Sequence, residues 1–212
     1  MDVALFWGLL AFTASGSITP GPNNLILMSQ GVTFGFRRCI PYIFGVAAGF
    51  GTLLLAACLG LGAVVQALPA LLPIISIIGA LWLMGLAWGY VKPAAKSMEG
   101  TKAKPAPTRP LGFIEATLFQ WVNPKGLVFA FGAAASFTGL AESFWLRTAI
   151  IIAVFIATGF IGNALWAGMG GTINRILAGQ KTGRALNLFL GAVIFATALF
   201  VLWIGLKPLL AG

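Results

Sequence analysis

Apolar residues run along this chain in long blocks that are hydrophobic on every side, separated by short polar stretches. Six blocks approach or exceed the roughly 20 residues a helix needs to cross about 30 Å of hydrocarbon. They cover about residues 3–30, 39–65, 68–91, 111–137, 144–171 and 184–206. Membrane β-strands would instead alternate apolar and polar positions over about ten residues. The pattern predicts an all-α, polytopic membrane protein with six transmembrane helices. A cleaved leader is a poor description of the first block, because Asp2 stands where a basic segment would be.

Two blocks are interrupted. The first contains Thr19-Pro20-Gly21-Pro22-Asn23-Asn24 and the fourth Asn123-Pro124-Lys125. Three blocks precede a polar, Pro-containing linker, residues 92–110, and three follow it. An odd number per half turns the second half, 111–212, upside down relative to the first, 1–91. The expectation is two inverted three-helix repeats in one membrane domain, with helices 1 and 4 broken at their proline motifs. A weaker echo joins the third helix of each half, Gly79-Ala80…Lys92-Pro93 and Gly191-Ala192…Lys207-Pro208.

Composition sharpens this. Hydrophobic residues make up 59% of the chain and charged ones 8%, against roughly 25% charged in soluble domains. The net charge of +9 is unevenly placed. Arg37 and Arg38 follow the first block, Lys92, Lys96, Lys102, Lys104 and Arg109 the third, and Arg175, Lys181 and Arg184 the fifth. Arg147 and Lys207 are alone on the other side. By the positive-inside rule the basic loops are cytoplasmic and both termini lie outside. The charge is thus a topology signal, and no nucleic-acid partner is expected. The chain has no histidine, and no metal or cofactor is expected. Cys39 and Cys58 lie about 28 Å apart along a continuous helix, too far to pair within it.

Interrupted segments at matching places in two halves point to a transporter binding site. Measured from the basic loops, both breaks lie on the order of 15–20 Å deep. Ordinary proline kinks are the plainer reading, since membrane helices tolerate them. Pro20 and Pro22 lack donors and strain the preceding turn, while Gly21 widens the backbone choices. The carbonyls so freed, with Asn23, Asn24 and Asn123, offer an amino acid both acceptors and donors; Pro124 frees a further carbonyl. Lys125 sits at mid-block, where an ammonium costs about 2.5–3.5 kcal/mol on insertion scales. It either serves the site or snorkels or pairs for folding. Its expected partners are carbonyls of the first break, Asn23, or a substrate carboxylate. Gln120 and Asn163 are also at membrane depth, as pathway residues or as interhelical glue. Gly45-x-x-x-Gly49 and Gly85-x-x-x-Gly89 read as close-packing surfaces, and some of the tryptophans as interfacial anchors.

Thr19-Pro20-Gly21-Pro22-Asn23-Asn24, followed by Gly35-Phe36-Arg37, resembles the N-terminal signature of the LysE/RhtB amino-acid exporters. Asn123-Pro124-Lys125 is similar to that family's second signature, and Ile78-Gly79-Ala80-Leu81-Trp82-Leu83…Gly89 to its third helix. The resemblance covers essentially the whole chain. It implies a bacterial inner-membrane protein that exports amino acids or derivatives on the proton motive force. Its site, carried over by position, is Pro20 to Asn24 with Asn123 to Lys125. Gly162-Asn163-Ala164-Leu165-Trp166-Ala167 and Gly183-Arg184-x-Leu186-Asn187 resemble the cysteine/O-acetylserine branch. With no central carboxylate, the residues themselves favour a small neutral or zwitterionic cargo over a cationic one. Proton coupling has two candidate groups, Lys125 and Glu115. The oligomeric state stays open.

Three rivals remain. A passive small-solute channel differs by uncoupled flux. A membrane thiol–disulfide conduit of similar architecture needs a cysteine in each half, and both are in the first. An enzyme lacks histidine, a metal cluster and a deep carboxylate pair.

Overall fold

The computed structural model describes residues 1–61, 63, 67–68, 70–96, 109–176 and 180–210. Among the described residues all regular structure is helical. The elements are α1 (Val3–Ile18), α2 (Pro22–Phe34), α3 (Phe36–Ala56, extended by a π-turn Ala57–Leu61), α4 (Leu71–Lys96), α5 (Phe113–Val122), α6 (Pro124–Ser136), α7 (Phe144–Ile176) and α8 (Gln180–Leu210). Most of the basic linker, residues 97–108 with Lys102 and Lys104, lies outside the described residues, as do the side chains of Arg175, Lys181 and Arg184.

Both proline motifs break their helices. Helix α1 stops at Ile18, α2 restarts with Pro22 in its first turn, and the pair bends by 51°. Asn123 alone separates α5 from α6, whose first residue is Pro124. Proline suits that position because the missing N–H would have no intrahelical partner anyway. Asn123 caps α6 by accepting from Lys125 N at 3.2 Å.

The loop expected around Arg37 and Arg38 is almost absent. Gly35, at φ 81°, joins α2 directly to α3, so both arginines sit in the first turn of α3. This left-handed angle is open to glycine at little cost, and that one residue replaces a connection. Among the described residues two helices are long and apolar enough to cross a membrane, Phe36–Leu61 and Phe144–Ile173, or three if α1 and α2 count as one bent span. Pro73–Gly89 and Ile194–Lys207 are shorter apolar stretches.

The chain is dressed for lipid. Ile114, Leu118, Ile161 and Leu165 are more than half exposed, each pair one helical turn apart. Asn23, Asn24, Gln30, Gln120, Asn123 and Asn163 are buried, the inverse of a water-soluble distribution.

Helix α3 packs along α5, α7 along α1, α2 and α3, and α4 along α8. Small residues set these distances. A Cβ at Gly45 would meet the Phe113 carbonyl and Ala116, and one at Gly49 would meet Thr117. Thr117 Oγ1 also donates across this contact to the Gly45 carbonyl at 3.1 Å. The Gly45/Gly49 pair is therefore a packing surface as expected. At Gly85 and Gly89 a Cβ would meet no atom within 4 Å among the described residues. That spacing alone does not decide which face of α4 meets a neighbour.

One end of the molecule is tied together through Asp2, whose N–H donates to the Leu140 carbonyl at 2.9 Å. The start of α1 and the α6–α7 loop thus share that end. At the opposite end α2 turns into α3 at Gly35.

Candidate functional site

The two helix breaks meet. Lys125 Nζ, one residue into α6, donates to the Thr19 carbonyl at the end of α1, a contact between positions 106 apart in the sequence. The same carbonyl accepts from Asn24 Nδ2 at 2.9 Å. Ser17 O, two residues back, accepts from Asn24 Nδ2 and from Trp166 Nε1, both at 3.2 Å. Both carbonyls use their two acceptor positions on protein donors. The freed carbonyls of the first break are therefore held by Asn24, Trp166 and Lys125. Of the partners expected for Lys125, the first-break carbonyl is the one observed.

Beside this junction lies a row of amides drawn from three helices. Asn23 Nδ2 in α2 donates to Asn163 Oδ1 in α7 at 3.0 Å. Gln120 Nε2 in α5 donates to Asn23 Oδ1 at 3.4 Å and to the Ala116 carbonyl at 3.0 Å. Gln120 and Asn163 thus each take part in a hydrogen bond between helices. Gln120 Oε1 and Asn163 Nδ2 keep no protein partner among the described residues.

These groups face a cavity of ≈ 90 Å³. Its polar wall contains Gly21, Asn23, Asn24, Gln120, Asn123 and Asn163, with Lys125 beside them. A smaller space of ≈ 40 Å³ adjoins it between α3 and α7, with Asn163 in both walls. No carboxylate lines the cavity among the described residues. Pro20, Pro22 and Pro124 do not line it either; they set the breaks. Glu115 lies elsewhere, at the start of α5, where it pairs with Arg109 at 2.6 Å and accepts from Gly112 N at 3.0 Å.

The other wall is aromatic. Phe50, Phe129 and Phe155 line it. Phe12 joins them, with ring centroids 4.8 Å from Phe129 and 6.1 Å from Phe155, while Phe50 lies 5.1 Å from Phe155. These rings lie on the Asp2–Leu140 side of the amides. On α7, Phe155 is eight residues nearer that end than Asn163, about 12 Å along the axis. Lys125 Nζ also sits 5.9 Å from the Phe129 ring centroid, within cation–π range.

Sequence reasoning did not single out the phenylalanines or Trp166. Rings in uniformly apolar blocks carry no periodic signal, and a tryptophan near a block end reads as an anchor. Cys39 and Cys58 are free thiols. Among the described residues no group of three or more His, Cys, Asp or Glu side chains comes together.

Buried amides, a lysine tying two helix breaks together and a lipid-suited exterior define a membrane translocator. The chain matches the family described as LysE type translocator over residues 14–205, and it belongs to that family. It is 30% identical over 207 residues to a cysteine/O-acetylserine efflux protein of Salmonella paratyphi A, covering 96% of this chain and 98% of that one. It is 29% identical over 205 residues to a protein of the same name from Escherichia coli K12, covering 95% and 97%. No solved structure matches the chain. As a member of that family it is a transporter and not an enzyme.

Proposed function

We propose that this chain exports small neutral or zwitterionic amino acids, or derivatives such as O-acetylserine, across the bacterial inner membrane. Six transmembrane helices in two inverted halves carry the cargo by alternating access around the cavity between the breaks, with both termini outside. The observation that carries this reading is the contact between Lys125 and Thr19, because it joins the two breaks beside a cavity walled by amides. Helices α2 and α6 both begin at the breaks, so their N-terminal, positive dipole ends and Lys125 together favour a carboxylate. The free oxygen of Gln120 and the unspent amide of Asn163 suit the rest of a zwitterion. The absence of a carboxylate from the described wall disfavours a cationic cargo, and the aromatic wall favours a small side chain.

Proton motive force drives the cycle in this reading, with Lys125 as the titratable group in the described wall. The names of the two efflux relatives support the cargo class. The test is a panel of amino acids: cells overproducing the protein are loaded with dipeptides and the medium is assayed. Cysteine, O-acetylserine or another small neutral amino acid should accumulate outside, and collapsing the proton gradient should stop it. Accumulation of lysine or arginine alone would overturn the reading. Export unaffected by an uncoupler would favour a passive channel.

A further inference from the structure

Two glycines of α7 let other helices come close. A Cβ at Gly162 would press into Ser17 of α1, and one at Gly170 into the Met28 carbonyl of α2. Gly159 differs. It lies one turn from both Phe155 and Asn163 on the same face of α7, yet a Cβ there would meet no atom within 4 Å among the described residues. No helix contact needs a glycine at this position; what it leaves is room.

That room is the smaller cavity, an annex where α3 and α7 part between two contacts. Toward the Asp2–Leu140 end, a Cβ at Gly51 of α3 would rest 3.6 Å from Ile156 Cδ1 and 3.8 Å from Ile152 Cγ2. Toward the Gly35 end, the Phe44 ring of α3 stands edge-on to Phe160, with centroids 5.0 Å apart. Val46, Phe50, Phe155, Gly159 and Asn163 line the annex and the main cavity alike. Ala47, Ile156 and Phe160 line the annex alone. Asn163, where the two spaces meet, is the one polar side chain among the residues that line the annex, and none of them is charged.

We propose that the annex is the side-chain subsite of the exporter, and that Gly159 sets how long a side chain it accepts. The ammonium and carboxylate of the cargo stay among the amides and Lys125, and the neutral, apolar tip of its side chain passes Asn163 to rest on Ala47, Ile156 and Phe160. A water-sized group needs about 10–15 Å³, so the ≈ 40 Å³ of the annex admits about three non-hydrogen atoms. Each carbon added up to that limit leaves water for an apolar wall, and each one beyond it overpacks the wall. A charged tip would lose its hydration there without a counter-charge. The subsite rests on the exporter reading and adds to it where the side chain goes.

The test is ligand-induced thermal stabilisation of the purified full-length protein. The probes are L-alanine, L-2-aminobutyrate, L-norvaline, L-norleucine and L-2-aminoheptanoate, each one carbon longer than the last. The unaltered protein should bind norvaline about tenfold more tightly than alanine. Gly159→Leu fills the annex and should erase that gain while alanine binds as before. Gly159→Ala, which adds only a methyl, should move the preferred length to a side chain one carbon shorter. Gly168→Leu is the control: a Cβ at Gly168 also meets nothing within 4 Å among the described residues, but Gly168 lines neither space, and the gain should survive. All three changes replace a glycine inside a helix with a better helix former; if Gly159→Leu does not fold, Gly159→Ala decides. An unchanged ranking in the Gly159 variants, an equal loss of alanine and norvaline, or loss of the gain in Gly168→Leu would overturn the subsite alone. If no member of the series stabilises the unaltered protein, the exporter reading falls and the subsite with it.

Discussion

Asn23 and Asn163, 140 positions apart, share a buried hydrogen bond of 3.0 Å. Asn23 belongs to the helix restarted after the first proline break, and Asn163 to the middle of α7. The bond fixes α2 against α7 beside the cavity, and its geometry also sets how Gln120 is held. Replacing Asn163 with leucine strips Asn23 Nδ2 of its partner, which should cost about 1–3 kcal/mol of stability. The double variant Asn23→Leu/Asn163→Leu should be less destabilised than the sum of the single changes. Thermal unfolding in detergent measures both. Additive losses would mean that the two residues act independently.

Lys125 tests the site directly. Lys125→Met keeps the length of the side chain and removes the donor to Thr19. Thr19 O retains Asn24 as a partner, so insertion and folding should be preserved while export is lost. Membrane yield and cargo appearance in the medium separate the two. Export at the normal rate from this variant would remove Lys125 from the mechanism.

Gly21 offers a milder displacement of the same lysine. A Cβ there would lie 2.8 Å from Lys125 Cδ and 3.3 Å from Nζ. The neighbour is the far end of a flexible side chain, and φ at Gly21 is −162°, extended backbone that alanine adopts freely. Gly21→Ala should therefore fold normally but raise the cargo concentration needed for half-maximal export. An unchanged concentration dependence would show that the position of Lys125 is not critical.

Much of this architecture was legible in the sequence because proline and mid-membrane polarity are strong signals. The breaks at Pro20 to Pro22 and at Pro124 appear where the motifs put them, and Asn23, Asn123 and Lys125 converge on one cavity. The contacts between elements were less legible. Nothing in the local pattern around Arg37 distinguishes a loop from a glycine hinge, which depends on a single φ at Gly35. Gly45/Gly49 and Gly85/Gly89 have the same spacing, yet among the described residues only the first pair meets a neighbour, because helix rotation is set by packing across the molecule. Trp166 and the phenylalanines around the cavity are apolar residues in apolar blocks, and their partners come from distant segments.

The glycine seams make a paired stability test. Gly170→Ala forces a methyl against the Met28 backbone, which cannot yield as a side chain can, and overpacking of this kind typically costs about 1–3 kcal/mol. Gly85→Ala meets nothing within 4 Å among the described residues, so helix propensity should dominate and stabilise by up to about 1 kcal/mol. Melting temperatures should move in opposite directions. A fall in both would show that α4 uses its Gly85 face for packing.

The thiols should be dispensable. Cys39 is buried in the core and Cys58 lies in the π-turn after α3. Neither lines the cavity. The double variant Cys39→Ala/Cys58→Ala should export at close to the normal rate, with a small loss of stability from Cys39. Loss of export with retained membrane yield would revive a thiol–disulfide role.

The aromatic wall governs which side chains fit. Phe129 is half-buried between Phe12 and Lys125, with α1 at Gly16 so close that a Cβ there would overlap the ring. Phe129→Leu keeps an apolar surface and removes ring volume on the cavity side. The polar wall that holds the common part of every amino acid is untouched. The variant should therefore improve export of leucine or methionine relative to O-acetylserine. The pocket-size differences involved, about one methylene or more, correspond to discrimination of roughly 1–3 kcal/mol. Competition between labelled O-acetylserine and unlabelled larger amino acids measures the shift. If the order of competitors is unchanged, the rings around Phe129 hold α1 and α6 together without selecting the cargo.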